Sequence, residues 1–114
     1  MYEDGYQHIT SIDISYAVIK QMQELYKEKL PNLLYKQMDV KSLQYEEGTF
    51  DAVIDKALFD CILCGDGSGP NADLTLSEIY RVLSPTGVYI CISYGLPESR
   101  LGYFQKPDFD WTVF

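Results

Sequence analysis

The chain alternates short apolar strands with amphipathic helices, and three of its four predicted strands end on an aspartate. The predicted strands are residues 8–13, 33–39, 50–55 and 88–93, and the predicted helices are residues 15–29, 56–64 and a third that ends near residue 83. Strands and helices that alternate in this way form β-α-β units, which place the strands in parallel with right-handed crossovers. The sequence therefore predicts an α/β protein with a mostly parallel sheet.

Length and charge narrow the class further. The 114 residues suffice for one domain with a modest core. Seventeen acidic residues against nine Lys and Arg give a net charge of -8, which would repel a phosphate backbone, so no direct nucleic-acid partner is expected. The longest apolar stretch is too short to cross a bilayer, and the start of the chain has no apolar signal core, so no membrane association is expected.

Three cysteines, an odd number, indicate a reducing compartment, and a cytoplasmic location is predicted. Cys61 and Cys64 form a C-x-x-C pair, but the chain has no second pair and His8 is its single histidine. A four-ligand zinc site cannot be assembled from these residues, so no metal is predicted. The favoured interpretation of the pair is two half-buried cysteines on a helix, and a redox role is the alternative.

The first helix is predicted to begin at a Ser15 cap and to end before Pro31 and Asn32. Its predicted apolar stripe consists of Val18, Met22, Leu25 and Tyr26. Further along, "GDGSGPNAD" at residues 65–73 is predicted to be a flexible loop, with Asn71 or Asp73 capping the next helix. "SPTG" at residues 84–87 is predicted to be a sharp turn, and residues 96–114 show no clear period.

Asp13, Asp39 and Asp55 end successive strands, and ligands of open parallel sheets bind beyond that edge. Asp13 could accept hydrogen bonds from both hydroxyls of a ribose, or it could interact with the start of the following helix. Asp39 could accept from an adenine amine, or it could be a turn residue. Asp55 and Lys56 could hold a polar cofactor tail or a substrate nitrogen, whereas the plainer alternative is a pair exposed to water.

Four segments together resemble successive motifs of class I S-adenosylmethionine-dependent methyltransferases. They are "SIDIS", "MDV", "FDAVIDKALFD" and "EIYRVLSPTGVYICISYGLPESR". The subgroup that they resemble most contains the lysine methyltransferases of elongation factor 1-alpha. The resemblance implies a Rossmann-like sheet that contains family strands two to five, and a partial methyltransferase domain over residues 1–114.

The resemblance also implies a cofactor, S-adenosylmethionine, and residues that contact it. Asp13 would hold the ribose hydroxyls, and Ile14 beside it would also contact the cofactor. Asp39 with Val40 would border the adenine. The methionine side would be lined by Asp55, Lys56 and Ala57. Ala57 stands where the family usually has glycine, and it is expected to crowd that edge slightly.

The family's first strand and its glycine-rich loop are not found before "SIDIS", so the resemblance implies a truncated domain. Because this strand is central in the family order 3-2-1-4-5, strands two and four would each keep an unpaired edge. Unpaired backbone groups cost about 1 to 3 kcal/mol each when buried. The gap is therefore expected to close, to be completed by a partner chain, or to reflect an incomplete sequence. The hairpin that normally follows family strand five would start in "YFQKPDFDWTVF", whose aromatic residues could instead form an exposed docking patch.

The function implied is methyl transfer to a protein lysine or another nitrogen nucleophile. An acidic surface would attract a basic protein substrate, and Tyr94 or Asp60 could assist loss of the lysine proton. The alternative is a noncatalytic methyltransferase-like subunit that has lost the cofactor loop and acts in a structural or regulatory role. A nicotinamide-dependent dehydrogenase fragment would share the acidic strand end, but it leaves "VIDKALFD" unexplained.

Overall fold

The computed structural model describes residues 3, 5–6, 8–26, 33–65 and 67–113. The chain divides into two compact units, Met1–Leu43 and Gln44–Phe114. The first unit contains strand β1 (Ile9–Asp13), helix α1 (Tyr16–Tyr26) and strand β2 (Leu33–Gln37). The second contains β3 (Phe50–Lys56), α2 (Leu58–Cys64), α3 (Ser68–Val82), β4 (Leu83–Ile92) and α4 (Pro97–Phe104).

The strands pair in parallel, as predicted, in two sheets of two strands each. In the first unit β1 pairs with β2, with Ile9 opposite Leu33 and Asp13 opposite Gln37. In the second unit β3 pairs with β4. These are the two outer pairs of the family order 3-2-1-4-5. Each of the four described strands pairs with one other described strand.

Helix α1 packs a face that overlaps the predicted stripe only in part. Ile19, which is outside the predicted stripe, is its one buried residue, whereas Val18 and Leu25 are exposed. Met22 and Tyr26 are half-buried, as the stripe predicted. The Ser15 cap is confirmed by a hydrogen bond of 3.4 Å from the Val18 amide to Ser15 Oγ. The predicted helix end at Pro31 and Asn32 lies outside the described residues.

Helix α3 begins earlier than the sequence predicted. It starts at Ser68, and its N-cap is Gly67 in a left-handed conformation (φ 68°), not Asn71 or Asp73. Most of the predicted flexible loop is therefore helical. Glycine at this position enters the left-handed region without the clash that a Cβ atom causes, which allows the chain to turn directly into the helix.

The "SPTG" segment lies within β4 rather than at a sharp turn. Phe50 pairs with Leu83 and Ala52 pairs with Val88, so four residues of β4 lie opposite Asp51 alone. This is a bulge, in which extra residues on one strand are accommodated by a local bend. A Cβ atom on Gly87 would approach Leu83 Cδ2 to 2.9 Å and Ser84 O to 3.0 Å, so glycine avoids tight contacts at this position.

The core of the second unit forms where α2 and α3 pack together and against β4. Phe59, Ala72 and Leu76 are fully buried, and seven partly buried residues pack on them: Ile62, Leu63, Tyr89, Cys91, Tyr103, Phe104 and Phe109. The apolar positions of α3 recur at helical spacing, so one face of the helix, which includes Leu76 and Ile79, is buried.

The C-terminal aromatic residues pack internally. Phe109 and Trp111 lie 4.9 Å apart between ring centroids, and both contact Tyr80 of α3 at 5.3 Å. Trp111 Nε1 donates to Phe104 O at 2.6 Å. The prediction that these residues form an exposed patch is therefore wrong. Residues 105–113 contain no strand of the expected hairpin. Phe114 lies outside the described residues.

Cys61 and Cys64 are exposed on α2, so the prediction of half-buried cysteines is wrong. Within the described part of the chain, no cluster of three or more His, Cys, Asp or Glu side chains is arranged to hold a metal ion. No described helix combines the length and the apolar character that a bilayer crossing needs.

Two leucines of α3 test where the core lies. Leu76 is fully buried and Leu74 is 52% exposed. Leu76→Ala is expected to lower the free energy of unfolding by about 2 to 5 kcal/mol, because it removes buried apolar surface and leaves a cavity. Leu74→Ala, the matched control, is expected to change it by about 0.5 kcal/mol or less. Urea denaturation followed by circular dichroism measures both, and equal losses would contradict this core.

Candidate functional site

The carboxyl ends of β1 and β2 bring Asp13 and Asp39 to the same edge of the first sheet. The Met38 amide donates to Asp13 O at 3.0 Å, and Gln37 Nε2 donates to Ile14 O at 3.0 Å. These bonds join the two strand ends just before Asp39. The sequence prediction that these residues share one edge is confirmed within this unit.

Asp13 interacts locally with the start of α1. Its Oδ1 accepts from the Ser15 amide at 2.8 Å, which is the plainer of the two predicted roles. The side chain is exposed, and Oδ2 accepts no hydrogen bond from a described residue. Asp13 therefore keeps one carboxylate oxygen for an external donor. Ile14 beside it is 63% exposed, which leaves an apolar side chain at the strand end.

Asp39 is the first residue of a turn. Its Oδ1 accepts from the Lys41 amide at 2.9 Å, and its backbone oxygen accepts from the Ser42 amide at 3.0 Å. Lys41 Nζ lies 3.9 Å from Asp39 Oδ2. The turn role predicted as the alternative for Asp39 is confirmed. Val40 is half-buried in this turn.

A groove of about 540 Å³ in the first unit lies between α1 and β2. It is lined by Tyr16, Ile19, Lys20, Gln23, Tyr35, Lys36 and Gln37. None of the predicted cofactor residues lines it. The predicted ribose site at Asp13 is therefore not part of this groove.

The carboxyl end of β3 is organised by Asp55, which is only 3% exposed. Its Oδ1 accepts from the Leu58 amide at 2.7 Å, and its Oδ2 accepts from the Phe59 amide at 3.2 Å and the Tyr89 hydroxyl at 2.9 Å. The predicted alternative of exposure to water is wrong for Asp55 and right for Lys56, which is exposed. Asp55 holds the start of α2, and its carboxylate is already occupied by protein donors.

Tyr89 and Cys91 extend from β4 towards the Asp55 carboxylate. Burial raises the pKa of Tyr89 far above its ordinary value, and the Asp55 charge adds to the shift, so this hydroxyl remains protonated and donates. Burial likewise raises the pKa of the Cys91 thiol, which lies 3.6 Å from Asp55 Oδ2. Neither residue was predicted from the sequence, although the alternation of "VYICIS" places Tyr89 and Cys91 on one face of the strand.

Ala57 adopts a left-handed conformation (φ 68°) between β3 and α2. That region costs an L-residue with a Cβ atom roughly 1 to 2 kcal/mol of conformational free energy, and glycine avoids this cost. This conformation explains why the resembling family usually has glycine here. The left-handed φ shows strain in the Ala57 backbone, whereas crowding of the cofactor edge stays a prediction.

Ala57→Gly is expected to raise the free energy of unfolding by about 1 kcal/mol, because it relieves the left-handed strain. Ala52→Gly on β3, where the backbone is extended, is the matched control and is expected to lower it by about 0.5 to 1 kcal/mol. Urea denaturation measures both changes. A destabilised Ala57→Gly variant would show that the strain is absent.

Asp60 joins α2 to the segment that follows β4. Its Oδ1 accepts from Ser93 Oγ and from Arg100 Nη2 at 3.2 Å, and its Oδ2 accepts from the Tyr94 amide at 2.9 Å. We call Asp60, Ser93 and Arg100 the Asp60 cluster. The hydrogen bond from Ser93 and then that from Tyr94 lower the pKa of Asp60, with a further contribution from Arg100.

The lowered pKa of Asp60 sets a pH window for stability. A carboxylate whose folded-state pKa is depressed stabilises the fold above its unfolded pKa, ordinarily 3.8, and loses that contribution as pH falls through the lower folded-state value. The melting temperature of Asp60→Asn is therefore expected to lie below that of the wild type by a constant amount from about pH 8 to about pH 5. The difference is expected to shrink below about pH 4.

Melting curves by circular dichroism test this, with Asp51→Asn as the control for removal of one exposed negative charge. A difference between Asp60→Asn and wild type that stays unchanged down to pH values of about 2 would contradict the contribution of the ionised Asp60 carboxylate.

Comparison with known proteins places these features in a family. Residues 1–91 match the model of the family described as "Methyltransferase domain". The mouse "eEF1A lysine and N-terminal methyltransferase" is 35% identical over 99% of this chain and 17% of its own length. The mouse "EEF1A lysine methyltransferase 4" is 32% identical over 96% of this chain and 46% of its own length. The chain thus spans less than half the length of these relatives.

Among solved structures, the PH0226 protein of Pyrococcus horikoshii superposes with a TM-score of 0.70 at 28% identity. The match covers 91% of this chain and 48% of that protein. This likeness confirms the predicted Rossmann-like α/β fold.

Proposed function

The chain belongs to the methyltransferase domain family, and from this premise we propose that it transfers a methyl group from S-adenosylmethionine to a lysine of a protein. The observation that carries the proposal is the family match over residues 1–91, which includes Asp13 at the end of β1, Asp39 just after β2 and Asp55 near the end of β3. The noncatalytic alternative is not favoured, because the relatives that the chain matches have the names of enzymes. The dehydrogenase alternative has no support in that match.

For the first unit we propose that Asp13 binds the ribose of the cofactor. Its side chain is exposed, and Oδ2 accepts from none of the described residues, whereas a ribose edge offers hydroxyl donors. Ile14 would pack its exposed apolar side chain against the adenine, and Asp39 with Val40 would border the adenine from the turn after β2. The carboxylate acceptors and the apolar side chains proposed for this strand edge fit an adenosine.

For the second unit we propose that Lys56 and Ala57 contact the methionine part of the cofactor. Asp55 cannot supply a free carboxylate oxygen, because protein donors occupy both of its oxygens. Its proposed role is therefore to position Lys56 and Ala57 by fixing the start of α2. When bound, the cofactor supplies an electrophilic methyl group on a sulfonium, and the protein's main task is to align the acceptor nitrogen.

A lysine acceptor fits the charge of the chain. The net charge of -8 favours a basic protein surface. Two relatives are named for methylation of elongation factor 1A, so we propose this factor or a similar basic protein as substrate. A lysine must lose a proton before it attacks. Asp60 is a poor base for that step, because its lowered pKa and its three donors favour the ionised, bonded carboxylate. Tyr94 remains the candidate.

We also propose a cytoplasmic location and a partner chain that completes the sheet. The described cysteines are all free thiols, in keeping with a reducing compartment. Each described strand pairs along one edge, so its other edge has backbone groups to which an added strand could bind.

Titration calorimetry with S-adenosylhomocysteine and transfer of labelled methyl from S-adenosylmethionine to unmethylated elongation factor 1A test the proposal. The chain is expected to bind the product and to label the factor. Asp13→Asn is expected to weaken binding about 10- to 100-fold, because hydrogen bonds to a charged group contribute about 1.5 to 3 kcal/mol.

Asp51→Asn is the matched control, since Asp51 is exposed near the amino end of β3, away from the strand's carboxyl end. It is expected to bind the product as the wild type does. A folded wild-type chain that binds no product would support the noncatalytic alternative, and equal affinity of the two variants would remove Asp13 from the site.

A further inference from the structure

The segment after β4 is held by an unusual number of side-chain contacts for a loop. The carboxylate of Asp60 accepts from the Tyr94 amide at 2.9 Å, and Ser93 Oγ accepts from the Gly95 amide at 3.2 Å. Two consecutive backbone amides are therefore fixed by the Asp60 cluster. Because an unpaired loop amide would otherwise bond water, these contacts restrict the backbone on both sides of the Tyr94 Cα atom.

Arg100 completes the cluster from α4. Its Nε donates to Ser93 Oγ at 3.2 Å and its Nη2 donates to Asp60 Oδ1 at 3.2 Å. A Cβ atom on Gly95 would overlap the Arg100 guanidinium, so glycine at this position lets Arg100 reach both partners. The letters "SYG" and the later Arg thus describe one arrangement, in which a glycine, an arginine and an aspartate from three segments meet.

The side chain of Tyr94 is what this arrangement presents. Its ring is 98% exposed, although tyrosines such as Tyr89 and Tyr103 pack into the aromatic core of the same unit. The fixed backbone at the carboxyl end of β4 places an exposed ring at the sheet edge where ligands of open parallel sheets bind. None of the hydrogen bonds found in the described residues uses the Tyr94 hydroxyl, so the ring has no structural role that would explain this fixation.

We infer that Tyr94 contacts the methyl acceptor and that Asp60, Ser93 and Arg100 are positioning residues for it. This inference rests on the proposed function and gives it a contact residue. The acceptor chemistry that suits an exposed ring is a lysine side chain, whose methylenes pack on the ring and whose ammonium is attracted to the face. Asp60 acts here through the Tyr94 backbone and not as a base.

Steady-state kinetics with unmethylated elongation factor 1A separate a contact with the acceptor from a general loss of structure. Tyr94→Ala is expected to raise KM for the acceptor about fivefold, with binding of S-adenosylhomocysteine unchanged. Tyr94→Phe keeps the aromatic ring, so its KM for the acceptor is expected to equal that of the wild type. Tyr6→Ala removes another exposed ring and is the control that should leave KM unchanged.

Hydrogen exchange of the 93–95 amides tests the positioning role. Asp60→Asn and Arg100→Lys are expected to speed exchange there while the amides of α3 keep their protection, and to raise KM as Tyr94→Ala does. Unchanged exchange in both variants, or a Tyr94→Ala variant with wild-type KM, would overturn the inference.

Failure of the proposed function gives a different pattern. If the wild-type chain transfers no methyl group, binding of elongation factor 1A to immobilised chain decides the inference. Weaker binding by Tyr94→Ala than by Tyr94→Phe and wild type would support Tyr94 as a contact. Equal binding by all three, including no binding by any, would overturn it.

Discussion

The buried carboxylate of Asp55 is the interaction on which the second unit depends. A charge that is 3% exposed is costly unless it is hydrogen-bonded, and here the donors are the first amides of α2 and the Tyr89 hydroxyl. The carboxylate therefore fixes where α2 begins and how it lies against β4. Ala57 adopts a left-handed conformation, and this allows the chain to turn from β3 into the start of α2.

Helix α2 connects the Asp55 cap both to the core and to the segment after β4. Phe59 points into the core, where it packs on Tyr103 and Phe104 of α4 at ring separations of 5.5 Å and 5.3 Å. The next residue, Asp60, bonds the segment after β4. A helix of only seven residues thus connects the strand end, the core and the loop that presents Tyr94. The proposed methyl acceptor site is a product of this connection.

Much of the fold could be predicted because strands and helices alternate with clear periods. The parallel pairs β1–β2 and β3–β4 and the Ser15 cap were correct. The start of α3 was wrong because the glycines and proline of residues 65–70 read as a loop, whereas Gly67 serves as the helix cap. The face of α1 was wrong by one position, since contacts made Ile19 and not Val18 the buried residue.

The sequence by itself determined the class of sheet and the placement of Asp13, Asp39 and Asp55 near the carboxyl ends of strands, because these follow from local periodicity. Its motifs also carried the resemblance to the methyltransferase family. Only the tertiary structure decided which acid is free to bind a ligand. Asp13 stays exposed. By contrast, Asp55 accepts a hydrogen bond from Tyr89, 34 residues away, and Asp60 accepts one from Arg100, 40 residues away. The reason is physical: hydrogen-bond partners so far apart in sequence become neighbours only when the strands and helices pack.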